Sequence, residues 1–219
     1  LPEEAPQKKY TPKPYEQMQY PGQRVQIDVK VVPRKCIADP ELKLFQYTAI
    51  DEYSRLQPDP ERFPSSADGT GFKALADYVH SLGLKFGIHI MRGIPRQAAH
   101  EHTKILGSNV LANDIADPSN ICEWNPDMYG IRPEAEGAQE YYDSIFGLYA
   151  QWGVDFIKCD DICRMDMPSA KKEIEMLYNA IQKCGREIVL SLSPGPAKIE
   201  EAWHYEKYAN MWRITDDFW

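Results

Sequence analysis

From Arg24 to Val32 the chain alternates strictly, with Val25, Ile27, Val29 and Val31 on one side and Gln26, Asp28 and Lys30 on the other. A period of two is the pattern of a half-buried strand. A connection containing Pro33 and Cys36 leads to a second strand, Phe45-Gln-Tyr-Thr-Ala-Ile50, which stops at Asp51. Ahead of both, residues 1–23 are proline-rich and polar and read as an extended arm.

Beyond Leu56 the period changes. Gln57 to Pro64 is a rigid, proline-punctuated turn region, and Phe72, Leu75 and Val79 then fall at helical spacing up to Gly83. Lys85-Phe-Gly-Ile-His-Ile90 predicts a strand. The connection from Met91 to about Pro133 is too long to be a mere link and is a candidate active-site loop. Gly137 to Trp152 predicts a helix whose apolar face holds Tyr141, Ile145, Leu148 and Trp152, followed by a strand over Val154 to Lys158. A second helix runs from Ser169 to Cys184 on Ile174, Leu177, Tyr178 and Ile181. A strand over Glu187 to Ser191, a short helix over Ile199 to Tyr208 and a strand over Met211 to Thr215 complete the order. Such βαβαβαβ alternation demands parallel strands joined by right-handed crossovers. The fold class is therefore α/β, and four βα units make half of a (β/α)8 barrel of about 250 residues.

One strand ends abruptly. In Val154-Asp-Phe-Ile-Lys-Cys-Asp-Asp161 the apolar run gives way to Lys158, Asp160 and Asp161. In parallel α/β folds the C-terminal ends of strands face the active site. Alternation puts Lys158 and Asp160 on one side, where a lysine-paired carboxylate is a tuned nucleophile, a metal ligand or a plain strand-capping salt bridge. Asp216 and Asp217 end another strand two positions along the sheet. Paired carboxylates across a barrel mouth are the machinery of glycoside hydrolysis, one attacking the anomeric carbon and one protonating the leaving oxygen. Arg213 and Lys158 would hold sugar hydroxyls and keep a neighbouring carboxylate ionised. Trp212 and Trp219 offer faces for a pyranose ring or pack the core.

Composition narrows this only a little. With 219 residues, 43% hydrophobic content and a mean hydropathy of −0.54, the chain has the mass for a real core. No apolar run approaches the ~18–20 residues of a membrane span. The opening Leu1-Pro-Glu-Glu shows neither an initiator Met nor a signal-peptide pattern, so the chain is expected to be an internal piece of something longer, and its compartment is not readable. Cys36, Cys122, Cys159, Cys163 and Cys184 are odd in number and lack a zinc-like pair of pairs, so buried free thiols are expected. His100-Glu-His102 sits in a polar connection without further histidines, and no metal or cofactor is expected.

Charge steps along the chain. Residues 1–56 carry 9 basic and 8 acidic groups, leaving 16 of the 25 basic and 25 of the 33 acidic groups for the remainder. The step suggests two pieces of different history. Lys8, Lys9, Lys13, Arg24, Arg34 and Lys35 favour a nucleic-acid partner, but a body with net charge −8 opposes tight phosphate binding.

From about Asp59 to Trp219 the chain resembles the melibiase family, glycoside hydrolase family 27, which comprises retaining α-galactosidases and α-N-acetylgalactosaminidases. Gly83-Leu-Lys-Phe-Gly-Ile-His, Trp152-Gly-Val-Asp-Phe-Ile-Lys-Cys-Asp and Trp212-Arg-Ile-Thr-Asp-Asp carry the resemblance in order. It implies Asp160 as nucleophile and Asp217 as acid/base. Substrate-binding roles fall on Lys158 and Arg213, on His89 in place of the commoner Tyr, on Ser193 in place of a Glu, and on Asp161. The family's first two strands, with the acidic pair that binds the galactose 4- and 6-hydroxyls, and its last two strands have no counterpart here. Residues 1–56 resemble instead the opening of the integrase core of insertion-sequence transposases, an RNase H-like sheet, through Val25-Gln-Ile-Asp-Val-Lys30 and Tyr47-Thr-Ala-Ile-Asp-Glu-Tyr-Ser-Arg55. That resemblance implies Asp28 as a first metal-binding acid, with no later Asp and Glu to complete a triad.

Two units are thus expected: an integrase-like remnant over 1–56 and a partial barrel over 57–219, joined near Asp51–Leu56. The expected function is retaining exo-hydrolysis of terminal α-galactosides, in oligosaccharides or glycans, weak or absent in a truncated chimera. A DNA-binding fragment without catalysis is the alternative. Exposed edges of a half-barrel would favour self-association, and no membrane partner is expected.

Overall fold

The structure, a computed structural model, describes the backbone of residues 25–31 and 45–51 and then residues 58, 61, 63–122, 125–163, 167, 169–193 and 196–215. The two predicted N-terminal strands form. β1 (Val25–Val31) pairs antiparallel with β2 (Phe45–Asp51), with Val25 opposite Asp51 and Val31 opposite Phe45. A two-stranded antiparallel ladder is common to many folds, and the RNase H-like architecture expected here would need more of the sheet than this pair.

The βα alternation past residue 70 is realised closely. α1 (Lys73–Ser81) leads to β3 (Gly87–Met91), α4 (Ala138–Trp152) to β7 (Phe156–Asp160), α5 (Ala170–Lys183) to β8 (Val189–Leu192) and α6 (Ala202–Tyr208) to β9 (Met211–Trp212). The four strands make one sheet in the order β3-β7-β8-β9, and every neighbouring pair is parallel.

Between β3 and α4 the expected loop is itself folded. β4 (Ile94–Pro95), α2 (Arg96–His100), α3 (Ala112–Ile115), β5 (Ala116–Ile121) and β6 (Met128–Ile131) build a small antiparallel sheet of order β4-β6-β5. Its Cys122 and Met128 cluster with Met91, the last residue of β3. The connection is thereby fastened beside the C-terminal edge of the main sheet.

Strand alternation divides the two faces. Ile90, Ile157, Cys159, Leu190 and Leu192 point into one hydrophobic core with Tyr142, Phe146, Tyr149 and Trp152 of α4 and Ile174, Leu177 and Ile181 of α5. Burying side chains of this size contributes roughly 1.5–3 kcal/mol each. α4 is buried along Tyr141, Tyr142, Ile145, Phe146, Tyr149 and Trp152, while Leu148 is only partly covered. Its end is fixed by Gly153, whose φ of 85° is the left-handed conformation that closes a helix. The Val154 N–H then bonds back to the Tyr149 carbonyl at 3.0 Å, so the helix turns directly into β7.

The N-terminal edge of the sheet is held by Asp155, one residue before β7. Its carboxylate accepts hydrogen bonds from the Phe86 N–H at 2.8 Å and from Arg186 Nη2 at 2.7 Å, and lies 2.7 Å from His80 Nε2. Burial pushes this carboxyl upward, but those bonds and the Arg186 charge outweigh it and lower the group to about 2. At the N-terminal end of a βα sheet such a cluster serves stability rather than chemistry. No helix among the described residues is long and apolar enough to cross a membrane.

Candidate active site

The sheet's other face is polar at its C-terminal end. Parallel pairing places His89 of β3, Lys158 of β7 and Ser191 of β8 side by side in one row. Two residues further on, the same face carries Met91 opposite Asp160. Ser193 follows on the β8 side, its N–H bonded to the Cys159 carbonyl at 3.0 Å. The period of two that buries Ile157 and Cys159 under the helices therefore turns Lys158 and Asp160 the opposite way.

Asp160 is the centre of this row. Its Oδ2 lies 2.8 Å from His89 Nε2 and accepts a hydrogen bond from Lys158 Nζ at 3.1 Å. Its Oδ1 accepts the Asp161 N–H at 3.1 Å. Only 6% of the residue is exposed, enough to make an unpaired charge costly. Burial is the largest single influence on the Asp160 carboxyl and pushes it upward. The hydrogen bond from His89 and the charge and hydrogen bond of Lys158 together outweigh it, so the group stays below its ordinary range and is ionised at neutral pH. A buried, ionised carboxylate at a strand's C-terminal end, held at both oxygens, is equipped for nucleophilic attack.

The remaining expected site residues are distributed unevenly. Lys158 keeps about a third of its side chain exposed. Ser193 is buried, and its Oγ has no hydrogen-bond partner among the described residues. Arg213 directly follows β9, its N–H bonded to the Leu192 carbonyl at 3.2 Å. Asp161, expected to meet substrate, is wholly buried and turned toward Arg92, with Arg92 Nε 3.0 Å from its Oδ2. Trp212 is partly buried and stacks on the buried Tyr205 with ring centroids 5.7 Å apart, so at least one of its faces packs the core. Asp216, Asp217 and Trp219 lie outside the described residues, as does the Asp28 side chain.

His100 Nε2 lies 3.4 Å from the Tyr129 hydroxyl, and no group of three potential metal ligands occurs among the described residues. Cys122, Cys159 and Cys163 are buried free thiols and Cys184 is partly buried. Cys36 falls outside the described residues.

Several polar groups near the site carry no sequence motif. Arg92, Asn120 and Glu173 converge behind Asp161, and Asp127, before β6, is buried, which alone raises its carboxyl to about 6. A charge directly after the strand Gly87–Met91 marks Arg92, and an acid on the apolar stripe of α5 marks Glu173. Both signals were present in the sequence.

Comparison with known proteins gives this geometry its context. Residues 36–132 match the family model Melibiase, described as α-galactosidase A. α-Galactosidase 3 of Hypocrea jecorina is 30% identical over 186 residues, covering 75% of this chain and 28% of that protein. α-Galactosidase A of Homo sapiens is 29% identical over 177 residues, covering 77% and 32%. Among solved structures, a family 27 β-L-arabinopyranosidase from Geobacillus stearothermophilus is 62% identical with a TM-score of 0.72, over 78% of this chain and 39% of that one. A candidate α-N-acetylgalactosaminidase from Bacillus halodurans C-125 is 57% identical with a TM-score of 0.63, over 78% and 38%. The chain's homologues are thus α-galactosidases and family 27 glycoside hydrolases, and the chain spans about a third of their length. The family match starts at residue 36, inside the stretch 1–56 expected to be integrase-like, so it reaches further toward the N-terminus than the expected boundary at residue 57.

Proposed function

We propose that this chain carries the nucleophile half of a retaining exo-glycosidase acting on terminal α-galactosides or on the β-L-arabinopyranosides that share their ring stereochemistry. The two sugars differ by the C6 hydroxymethyl, and relatives of this chain are described as acting on each. The observation that carries the reading is the Asp160 carboxylate, ionised and fixed by His89, Lys158 and the Asp161 N–H at the mouth of the parallel sheet.

In this mechanism one Asp160 oxygen attacks the anomeric carbon while Asp217 protonates the departing glycosidic oxygen, giving a covalent glycosyl-enzyme. Asp217 then deprotonates a water that attacks the same carbon, and the Asp160 carboxylate leaves with net retention. Lys158 and His89 stabilise the free carboxylate before attack and after release. Arg213 and Ser193 bind sugar hydroxyls. The reading of residues 1–56 as an integrase-like segment rests on the charge step between the two stretches, and the family match that begins at residue 36 overlaps its second half.

The chain alone is expected to be a weak catalyst and to self-associate through uncovered apolar positions such as Ile214, which is 71% exposed. The test is hydrolysis of aryl α-D-galactopyranoside and aryl β-L-arabinopyranoside by the 219-residue chain and its Asp160→Gly variant, with and without azide. The reading expects activity to vanish in the variant and azide to restore it as the inverted glycosyl azide. Full activity in Asp160→Gly without azide would falsify the assignment.

A further inference from the structure

Asp161 has a φ of 58°, in the left-handed region that non-glycine residues seldom occupy. The conformation has a visible use. It turns the Asp161 N–H onto Asp160 Oδ1 at 3.1 Å while sending the Asp161 carbonyl and side chain the other way. Both of those meet a single group, Arg92 Nε, at 2.7 Å from the carbonyl oxygen and 3.0 Å from Oδ2.

Arg92 is itself 2% exposed and is gripped on its other side. Its Nη2 donates to Asn120 Oδ1 at 2.8 Å, and its Nη1 lies 3.6 Å from Glu173 Oε1. Glu173 is buried and in turn accepts from Ser169 Oγ at 2.7 Å and the Tyr142 hydroxyl at 3.0 Å. Room for the guanidinium comes from Gly130, where a Cβ would stand 2.9 Å from Nη1. Finally, the Arg92 N–H bonds to the Asp160 carbonyl at 3.0 Å. One residue thus holds the two successive carbonyls that follow the Asp160 side chain, those of Asp160 and Asp161.

Resting on the glycosidase reading above, we propose that Arg92 is a positioning residue: its guanidinium clamps Asp161 in the left-handed turn whose amide fixes Asp160 Oδ1 for attack. A left-handed non-glycine residue is strained, and the buried, charge-assisted Nε–H contact shared between the Asp161 carbonyl and carboxylate offsets it. The clamp needs the planar fork of arginine, because a lysine cannot span the Asp161 carbonyl, its carboxylate and Asn120 together. The charged groups facing the Asp160 carboxylate are His89 from β3, Lys158 from its own strand and, behind the turn, the Arg92–Asp161 pair.

The experiment uses the full chain as the parent, Arg92→Lys, Arg92→Met and the double variant Arg92→Met with Asp161→Gly. Arg92→Lys retains the buried charge and is the variant expected to fold. It should lower kcat on the aryl glycoside about 10- to 100-fold with KM changed little, the loss typical of a misplaced reacting group. The double variant removes both charges and supplies a residue that adopts the turn freely, so it should recover kcat relative to Arg92→Met alone. In parallel, carbon-detected NMR of the aspartate carboxyls, with Asp160→Asn identifying the signal, should show Asp160 titrating at higher pH in Arg92→Lys. Unchanged kcat and unchanged Asp160 titration, with only the melting temperature lowered, would reduce Arg92 to a structural role and overturn the proposal. A double variant no better than Arg92→Met would do the same. If the parent turns over neither glycoside, the glycosidase reading fails, while the carboxyl titration still decides the clamp.

Discussion

His89 Nε2 stands 2.8 Å from Asp160 Oδ2 across the seam between β3 and β7, although the two residues are 71 positions apart in the chain. The contact exists because parallel pairing sets His89 beside Lys158 and Met91 beside Asp160, so the imidazole leans along the strand direction to the carboxylate. A tyrosine in this place, the commoner residue by the melibiase resemblance, would offer a hydroxyl donor instead. The histidine contributes directly to keeping Asp160 ionised.

Replacing His89 by Phe removes that contribution and leaves the opposing burial in place. The Asp160 carboxyl should rise, so the acidic limb of the kcat/KM profile for an aryl glycoside should move to higher pH. A hydrogen bond to a charged group is worth roughly 1.5–3 kcal/mol, which sets the fall in kcat/KM at roughly 10- to 150-fold. A profile in His89→Phe that superimposes on the parent would show that Lys158 and the Asp161 amide suffice.

At the opposite edge of the sheet, Asp155 should make stability depend on pH. Its carboxyl is lowered in the folded chain to about 2 from an ordinary value of 3.8. The contribution is therefore complete above about pH 5 and is lost as the pH falls toward 2. Asp155→Asn should cost about 2 kcal/mol at pH 7 in urea unfolding, and the gap from the parent should close near pH 2. A gap that stays constant between pH 7 and pH 2 would mean the residue acts through packing alone.

How much of this was legible in the sequence follows the range of each interaction. The helices α1, α4 and α5 and the strands β3, β7 and β8 lie within a few residues of the boundaries their periodicity predicts, because burial against a single sheet imposes that period locally. Lys158 and Asp160 were legible as a pair for the same reason. The β4-β6-β5 sheet was not, since its strands are short, carry Pro95, Pro118 and Gly130, and shift register between Asp117 and Ile121. Arg92 and Glu173 have motif-free surroundings, and the Arg92 partner at Asp161 is 69 positions away. The inward turn of Asp161 and the packing of Trp212 on Tyr205 belong to the same class, contacts decided by the assembled sheet and not by neighbours in the chain.

The core beneath the site should respond as a single close-packed unit. Phe146 is wholly buried in α4 beside Tyr149, with ring centroids 5.9 Å apart. Phe146→Ala should destabilise by about 3–5 kcal/mol through lost transfer energy and the cavity left behind. Chemical denaturation read by tryptophan fluorescence should show the midpoint fall with little change in slope. A cost under about 1 kcal/mol would mean that α4 is not packed on the sheet as described.

Ser193 sets stability against binding. Its hydroxyl oxygen is buried without a hydrogen-bond partner among the described residues, immediately beside the Asp160 strand end. A polar group in that state costs about 1–3 kcal/mol, so Ser193→Ala should leave the melting temperature unchanged or raise it. If the hydroxyl serves a sugar hydroxyl as proposed, the same substitution should raise KM for the preferred aryl glycoside several-fold while kcat falls less. Destabilisation by Ser193→Ala would point to an internal partner, and an unchanged KM would remove Ser193 from the substrate site. A higher KM in a chain of equal or greater stability is the outcome that only a binding role produces.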